Sequence, residues 1–283
     1  MGDISPRVIA PFPGFQSFYA NLNSLECRVD RWQASFKEDS GWTFDLNDLE
    51  GLITSDTRIL VVNFPHNPTG YTPSQEQWSK LINLCKDRNL LLFSDEIYRH
   101  SNLDDAPALS SACAVYDNAI SMCGTSKTFG LPGLRIGWVV TKNEALMTGM
   151  AEFKDYITIC GSGPCEILSI IALRNKEKVI GRNIALIKSN LDRLDVFFKK
   201  FEDLFLWKRP VAGTIAFIPL TEKALKIFGS AKDLASKARE ESEILLLPSH
   251  IYDYPDKFFR LGFGRKSLPE VIEKFEKFLE KHQ

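Results

Sequence analysis

The sequence predicts an α/β fold class. It has a mainly parallel sheet flanked by helices and a smaller α+β domain at the C-terminus. Apolar stretches alternate with an amphipathic stretch between residues 58 and 93, which is the pattern of a strand, a crossover helix and a parallel strand. From about residue 166 long helical stretches replace this pattern, and short apolar runs return later. We therefore expect a large domain over residues 1–180 and a small domain over residues 181–283.

Composition and charge exclude several classes of protein. The 283 residues are 44% hydrophobic and 25% charged, and the formal net charge is −1. Those proportions are typical of a globular protein, and the charge gives no global reason to bind nucleic acid or an acidic membrane surface. Apolar runs such as 90–93 are far shorter than the roughly 20 residues that cross a bilayer. Six scattered cysteines without a C-x-x-C pair, and a start without the features of a signal peptide, indicate reduced thiols in a soluble, cytoplasmic protein.

The first crossover unit is the clearest part of the pattern. Residues 58–63 form a short apolar run that ends in a turn rich in Pro, Asn and Gly. A helix is predicted over 73–88, with Thr72 as its N-cap and Gln75 at the third helical position. Residues 90–93 then read as a second buried strand.

The remaining elements follow in order along the chain. Two more strands are predicted, over 119–122 and 136–140, separated by a glycine-rich loop. Helical stretches beyond residue 166 place apolar side chains on one face, which are Ile167, Ile170, Ile171, Ile184, Ile187, Leu191 and Leu194. The C-terminal part is predicted to hold strands over 215–220 and 244–247 and helices over 231–241 and 268–282.

Polar clusters follow three of the predicted strands at their carboxyl ends, where open α/β sheets bind ligands. They are Asn67-Pro68-Thr69-Gly70, Asp95-Glu96-Ile97-Tyr98, and Ser126-Lys127 with Arg135. Each cluster alone has a plain structural explanation as a turn, a helix cap or a solvated lysine. The loop before Lys127 lacks the glycines of a phosphate-binding P-loop, no G-x-S-x-G elbow is present, and the four histidines are too scattered to suggest a metal site.

Together these clusters resemble the signature series of the class I/II aminotransferases, which are pyridoxal 5'-phosphate (PLP) enzymes of the aspartate aminotransferase fold, PLP-dependent transferase fold type I. The stretch from Ser126 to Trp138, S-K-T-F-G-L-P-G-L-R-I-G-W, is its most specific part. The resemblance runs from Gly2-Asp3 to Arg260. It implies an aminotransferase that moves an amino group between an amino acid and a 2-oxo acid, with PLP as cofactor and a homodimer as the assembly.

The resemblance also implies roles for individual residues. Lys127 would form the Schiff base with PLP and then carry a proton as general acid and base. Asp95 would pair with the pyridine nitrogen of the cofactor. Tyr98 and Asn67 would hydrogen-bond the phenolic oxygen of the ring.

Further roles concern the cofactor phosphate, the ring face and the substrate. Arg135 would hold the phosphate with help from Ser126. Phe15 takes the position of an aromatic that stacks on the cofactor ring. Arg260 would grip the substrate α-carboxylate together with Asn67, and Arg265 is the less favoured alternative.

Three alternatives to an aminotransferase stay open at this stage, which are a C-S lyase, a decarboxylase and a truncated protein. A C-S lyase or a decarboxylase of the same fold would use the same first steps. Family members carry a segment ahead of the point that matches Gly2-Asp3, so a truncated protein with weak or no activity is the other alternative. His66 receives no role from the sequence.

Overall fold

Two sheets carry the fold of residues 5–103 and 108–283, which are the residues that this computed structural model describes. The start of the family resemblance, Gly2-Asp3, lies outside them. The strands of the larger sheet are β1 (Arg7–Phe12), β2 (Arg28–Lys37), β3 (Gly41–Phe44), β4 (Thr57–Asn63), β5 (Leu91–Asp95), β6 (Ala119–Gly124) and β7 (Gly137–Thr141). The strands of the smaller sheet are β8 (Ile215–Pro219), β9 (Leu247–Pro248) and β10 (Phe258–Gly262).

The larger sheet has the order β3-β2-β1-β4-β5-β6-β7. Its neighbours are parallel except at the two ends, where β2 pairs with β3 and β6 pairs with β7 in antiparallel fashion. Central strands of a parallel sheet are covered on both faces, which explains the continuous apolar runs of β1 and β4. The predicted, mainly parallel α/β sheet is therefore confirmed.

Helices cover the sheet and build most of the C-terminal part. They are α1 (Gln16–Ser24), α2 (Leu46–Leu52), α3 (Gln75–Asp87), α4 (Ala112–Val115), α5 (Glu144–Ile157), α6 (Gly163–Arg174), α7 (Lys176–Lys200), α8 (Glu222–Phe228), α9 (Ala231–Ser242) and α10 (Leu268–His282). The smaller sheet, in the antiparallel order β8-β10-β9, packs with α7 to α10 around a core rich in phenylalanine. The predicted domain boundary after residue 180 falls inside α7 and stays a prediction. Among the helices of the described residues, none combines the length and the apolar character that a bilayer crossing needs.

The N-cap of α3 differs from the one that the sequence predicted. Ser74, not Thr72, caps the helix, and its hydroxyl accepts from the backbone of Gln77 at 3.1 Å. The side chain of Gln77 in turn accepts from the Ser74 amide at 2.9 Å, which completes a capping box. The capping box of Ser74 and Gln77 therefore starts two residues later than the predicted pair of Thr72 and Gln75.

The predicted strand over 244–247 is wrong for most of its length. Ile244 and Leu246 are buried and Leu245 is 82% exposed, so the segment alternates as a strand does. Its hydrogen bonds to β10 begin only at Leu247, because the segment leaves α9 through Glu243 in a left-handed conformation. The apolar run over 244–247 therefore predicted a strand, but not that its pairing begins only at Leu247.

Candidate active site

The polar clusters meet at one edge of the larger sheet, formed by the carboxyl ends of β1, β4, β5 and β6. The chain places β2 on one side of β1 and β4 on the other, so the strand order reverses at β1. A crevice opens at such a switch point, and it is the usual ligand site of an open α/β sheet. The structure thus brings the three sequence motifs to a common edge.

Asp95 is the last residue of β5 and only 4% exposed. Its Oδ1 accepts a hydrogen bond from the Ile97 amide at 2.9 Å. Burial raises the pKa of Asp95 to about 6, and the positive charge of Lys127 opposes that rise. A buried carboxylate of this kind is stabilised by a bound cationic group.

The loop after β4 is built around two asparagines. The Asn63 side chain donates to the Asp95 carbonyl at 3.1 Å and accepts from the Asn67 amide at 2.9 Å. Asn67 Oδ1 then accepts from the Arg260 guanidinium at 3.0 Å. Gly70 closes the turn at a φ of +74°, and a Cβ there would lie 2.8 Å from the Ile215 carbonyl oxygen. This loop therefore joins the larger sheet to the arginine of the smaller one.

Lys127 lies on the loop after β6, and the residue itself is exposed although Thr125, Thr128 and Phe129 of the same loop are buried. Burial of part of its surroundings lowers the pKa of Lys127, and the nearby charge of Arg260 lowers it further. Asp95 acts in the opposite direction, and Arg135 adds a smaller lowering effect. Charges that act on the pKa of one lysine lie close to it, so Lys127, Asp95, Arg135 and Arg260 belong to one site.

The remaining candidates differ in how closely they approach this site. Tyr98 is buried, and burial raises the pKa of Tyr98 to about 12, with the charges of Arg260 and Asp95 acting in opposite directions. Ser126 is half-buried beside Lys127. Phe15 is the N-cap residue of α1 and 40% exposed, its ring packs edge-on against Phe18 at 5.6 Å, and its stacking role stays a prediction.

His66 receives a structural account. Its Nδ1 lies 2.7 Å from the Thr69 hydroxyl, and its ring packs edge-on against Phe44 at 4.8 Å. Burial lowers the pKa of His66 to about 3, so the ring is neutral at physiological pH. It holds the turn before Gly70 closed.

Two site residues escaped the sequence reasoning. Thr214 hydrogen-bonds the Tyr98 hydroxyl, and the Tyr252 hydroxyl lies near Arg260. Both belong to the C-terminal part, far from the motifs along the chain. A threonine and a tyrosine in loops carry no local signal that distinguishes them from other polar residues.

Comparison with known families decides which family this arrangement belongs to. The model of the family described as aminotransferase class I and II matches residues 3–275. The chain belongs to the class I and II aminotransferase family. This membership confirms the predicted family, and it makes PLP the cofactor and transamination the reaction class of the chain's relatives.

Individual relatives agree with the family model. An aspartate aminotransferase of Sulfurisphaera tokodaii is 30% identical, over 97% of this chain and 69% of the relative. Capreomycidine synthase of Streptomyces vinaceus is 25% identical, over 91% of this chain and 64% of the relative. A solved PLP-dependent aminotransferase from Streptococcus suis 89-1591 superposes with a TM-score of 0.88 at 28% identity, over 99% of this chain and 72% of that one. The predicted fold type is thereby confirmed, and the chain spans about two thirds of the length of these class I and II aminotransferase relatives.

Proposed function

We propose that this class I and II family member is a PLP-dependent aminotransferase, which moves an amino group between an amino acid and a 2-oxo acid. The observation that carries the proposal is the convergence of Lys127, Asp95, Arg135 and Arg260 at the carboxyl ends of β4 to β6, where Asn67 accepts from Arg260 at 3.0 Å. An amine, a buried carboxylate and two guanidinium groups are the functional groups that PLP and a carboxylate substrate need together. These residues therefore fit the cofactor that the family uses.

PLP, when bound, supplies an electron-accepting ring that stabilises negative charge on the substrate carbon. Asp95 would hold the proton on the pyridine nitrogen, because a buried carboxylate with a raised pKa gains from an adjacent cation. Lys127 would serve as the nucleophile and afterwards as the base and acid, because its lowered pKa makes the neutral amine more available. Tyr98 and Asn67 would donate to the phenolic oxygen.

Anion binding divides between the two arginines. Arg135 would hold the phosphate, with the Ser126 hydroxyl from the same loop. Arg260 would hold the substrate carboxylate, since Asn67 fixes one of its nitrogens and leaves the others to bind a ligand. Amino acids and 2-oxo acids share that carboxylate, so one arginine can serve both halves of the reaction. Phe15 would stack on the ring.

A homodimer is the assembly that we propose. Residues of α5 and α6 expose large apolar side chains, including Phe153, Tyr156, Ile167 and Ile171, with Tyr156 88% exposed. The sequence had predicted Ile167, Ile170 and Ile171 on a common apolar face, and they are exposed rather than packed in the core. Several large apolar side chains exposed on two successive helices favour an interface there. Light scattering over a range of concentrations should give twice the 32.1 kDa chain mass, and a monomer at all concentrations would contradict the proposal.

The cytoplasm is the compartment that we propose for this enzyme. Its six cysteines are all free thiols. Proteins with several unpaired cysteines are typical of reducing compartments.

Covalent capture of the cofactor tests the proposal. The chain is incubated with PLP, its visible absorbance is recorded, borohydride is added, and the modified peptide is mapped. The adduct is expected on Lys127 and should disappear in Lys127→Ala, whereas Lys142→Ala, which removes a surface lysine paired with Asp117, should keep it. An unmodified chain, or an adduct on another lysine, would contradict the proposal and favour the inactive alternative.

A different PLP reaction is the second candidate. The similarity to capreomycidine synthase supports it, because that relative is not named as an aminotransferase. The lyase and decarboxylase alternatives belong to the same candidate. Product analysis separates them, because a transaminase consumes a 2-oxo acid and forms an equal amount of a new amino acid, whereas the other enzymes need no 2-oxo acid acceptor.

A further inference from the structure

Tyr252 is a buried tyrosine at the junction of the two sheets. It ends the 3-10 turn Ser249–Tyr252 directly after β9, and it is 4% exposed. The Ser249 hydroxyl donates to the Pro255 carbonyl at 2.7 Å and accepts from the Phe258 amide at 3.2 Å. The Tyr252 ring packs edge-on against Phe217 at 5.7 Å. The turn and the ring are therefore fixed before any ligand binds.

Among residues 5–103 and 108–283 the proton of the Tyr252 hydroxyl has no acceptor, because the group that pairs with this hydroxyl is the Arg260 guanidinium, which can only donate. A buried donor without an acceptor is unfavourable and calls for an explanation. Burial raises the pKa of Tyr252, and the nearby charge of Arg260 lowers it in part. The phenol therefore stays protonated at neutral pH and keeps a proton to donate. The same hydroxyl also acts on the pKa of Tyr98, which places it at the edge of the candidate site.

The chemistry around this hydroxyl selects the kind of group that would pair with it. Arg260 presents only donors, and one of them is already used by Asn67. A group that binds between a guanidinium and a phenol must therefore accept several hydrogen bonds at once. A carboxylate does so, because its two oxygens offer about four acceptor positions and carry the matching negative charge.

We propose that the Tyr252 hydroxyl donates a hydrogen bond to the substrate α-carboxylate that Arg260 holds. This inference rests on the proposed function, because it assigns a second residue to the substrate part of the same site. The fixed turn aims the hydroxyl before the substrate arrives, so little conformational freedom is lost on binding. Tyr252 is then a substrate-binding residue contributed by the smaller sheet.

Tyr252→Phe tests the proposal because it removes only the hydroxyl and keeps the ring in its packing. Tyr254→Phe is the matched control, since the Tyr254 hydroxyl from the same loop donates to the Ala34 carbonyl at 3.3 Å. Both variants and the wild type are loaded with PLP. Binding is then measured for a non-reactive monocarboxylic acid and for a neutral analogue in which a carboxamide replaces the carboxylate.

Tyr252→Phe should weaken binding of the acid about tenfold, which corresponds to about 1.4 kcal/mol, and leave binding of the neutral analogue within about twofold. Tyr254→Phe should change neither. The unfolding midpoint of the unliganded Tyr252→Phe protein should equal or exceed that of the wild type, because the buried proton of the lost hydroxyl had no acceptor there. That of Tyr254→Phe should fall, because the Ala34 carbonyl loses its bond.

Three outcomes would overturn the proposal. They are unchanged binding of the acid by Tyr252→Phe, an equal loss for the acid and the neutral analogue, and a loss of stability in the unliganded variant. Failure of the proposed function would look different, because the wild type itself would then form no adduct at Lys127. The borohydride adduct in Tyr252→Phe should match that of the wild type, so cofactor loading and carboxylate binding are read separately.

Discussion

Replacing Asp95 by asparagine should stabilise the cofactor-free protein at neutral pH. The carboxyl is almost fully buried, and its pKa in the folded chain is about 6, against 3.8 for an ordinary aspartate. At about 1.4 kcal/mol for each pH unit, this difference corresponds to about 3 kcal/mol of unfolding free energy. Asparagine keeps an oxygen that can accept from the Ile97 amide, so the change removes the charge and little else.

The sign of the effect follows from the two protonation states. Below about pH 4 Asp95 is protonated in both the folded and the unfolded chain, so the variant and the wild type should be equally stable. Between about pH 4 and 6 the unfolded chain gives up its proton first, and the wild type loses stability. Above about pH 6 the difference should stay constant, at about 3 kcal/mol in favour of the variant.

Urea unfolding of both cofactor-free proteins at a series of pH values measures this difference directly. Asp117→Asn is the control, because Asp117 is exposed and its hydrogen bond to Lys142 lowers its pKa. That variant should show a small change of the opposite sign. Equal stability of Asp95→Asn and the wild type at pH 8, or a difference that persists at pH 3.5, would refute the reasoning. With PLP present the order should reverse, because the variant loses the charge that pairs with the pyridine nitrogen.

Three further predictions concern the rest of the site and its frame. Arg260→Met should raise the pKa of Lys127, because the charge of Arg260 lowers it in the wild type. The pH dependence of Lys127 modification by an amine-reactive reagent measures this pKa, and an unchanged pH profile would contradict the proximity of the two charges. Gly124→Ser should destabilise the protein by about 1 to 3 kcal/mol in urea unfolding, because a Cβ there would lie 3.0 Å from the backbone carbonyl oxygen of Ile136. Ser74→Ala should cost about 1 kcal/mol of unfolding free energy, whereas Thr72→Ala should not weaken the cap of α3. A larger loss of stability for Thr72→Ala than for Ser74→Ala would instead support Thr72 as the N-cap.

Local pattern was enough to identify the crossover unit and several helices. The predicted helix over 268–282 coincides with α10, and the predicted strand over 119–122 lies within β6. Both carry a signal in the local sequence, which is helical periodicity in α10 and a short apolar run in β6, although β6 itself is held by pairing with β5 and β7. The N-terminal strands β1, β2 and β3 escaped prediction, because β2 mixes charged and apolar residues along its length and depends on its neighbours for pairing.

The motifs around Asn67, Asp95 and Lys127 were enough to predict the family, the cofactor and the reaction class. Each motif follows a strand that the apolar pattern of the sequence predicts. Only the tertiary structure placed Arg260 against Asn67, 193 residues away, and turned the Tyr252 hydroxyl toward the same site. Such contacts depend on how the smaller sheet packs on the larger one. A buried hydroxyl proton without an acceptor leaves no trace in the sequence, because burial and missing acceptors are properties of the folded chain alone.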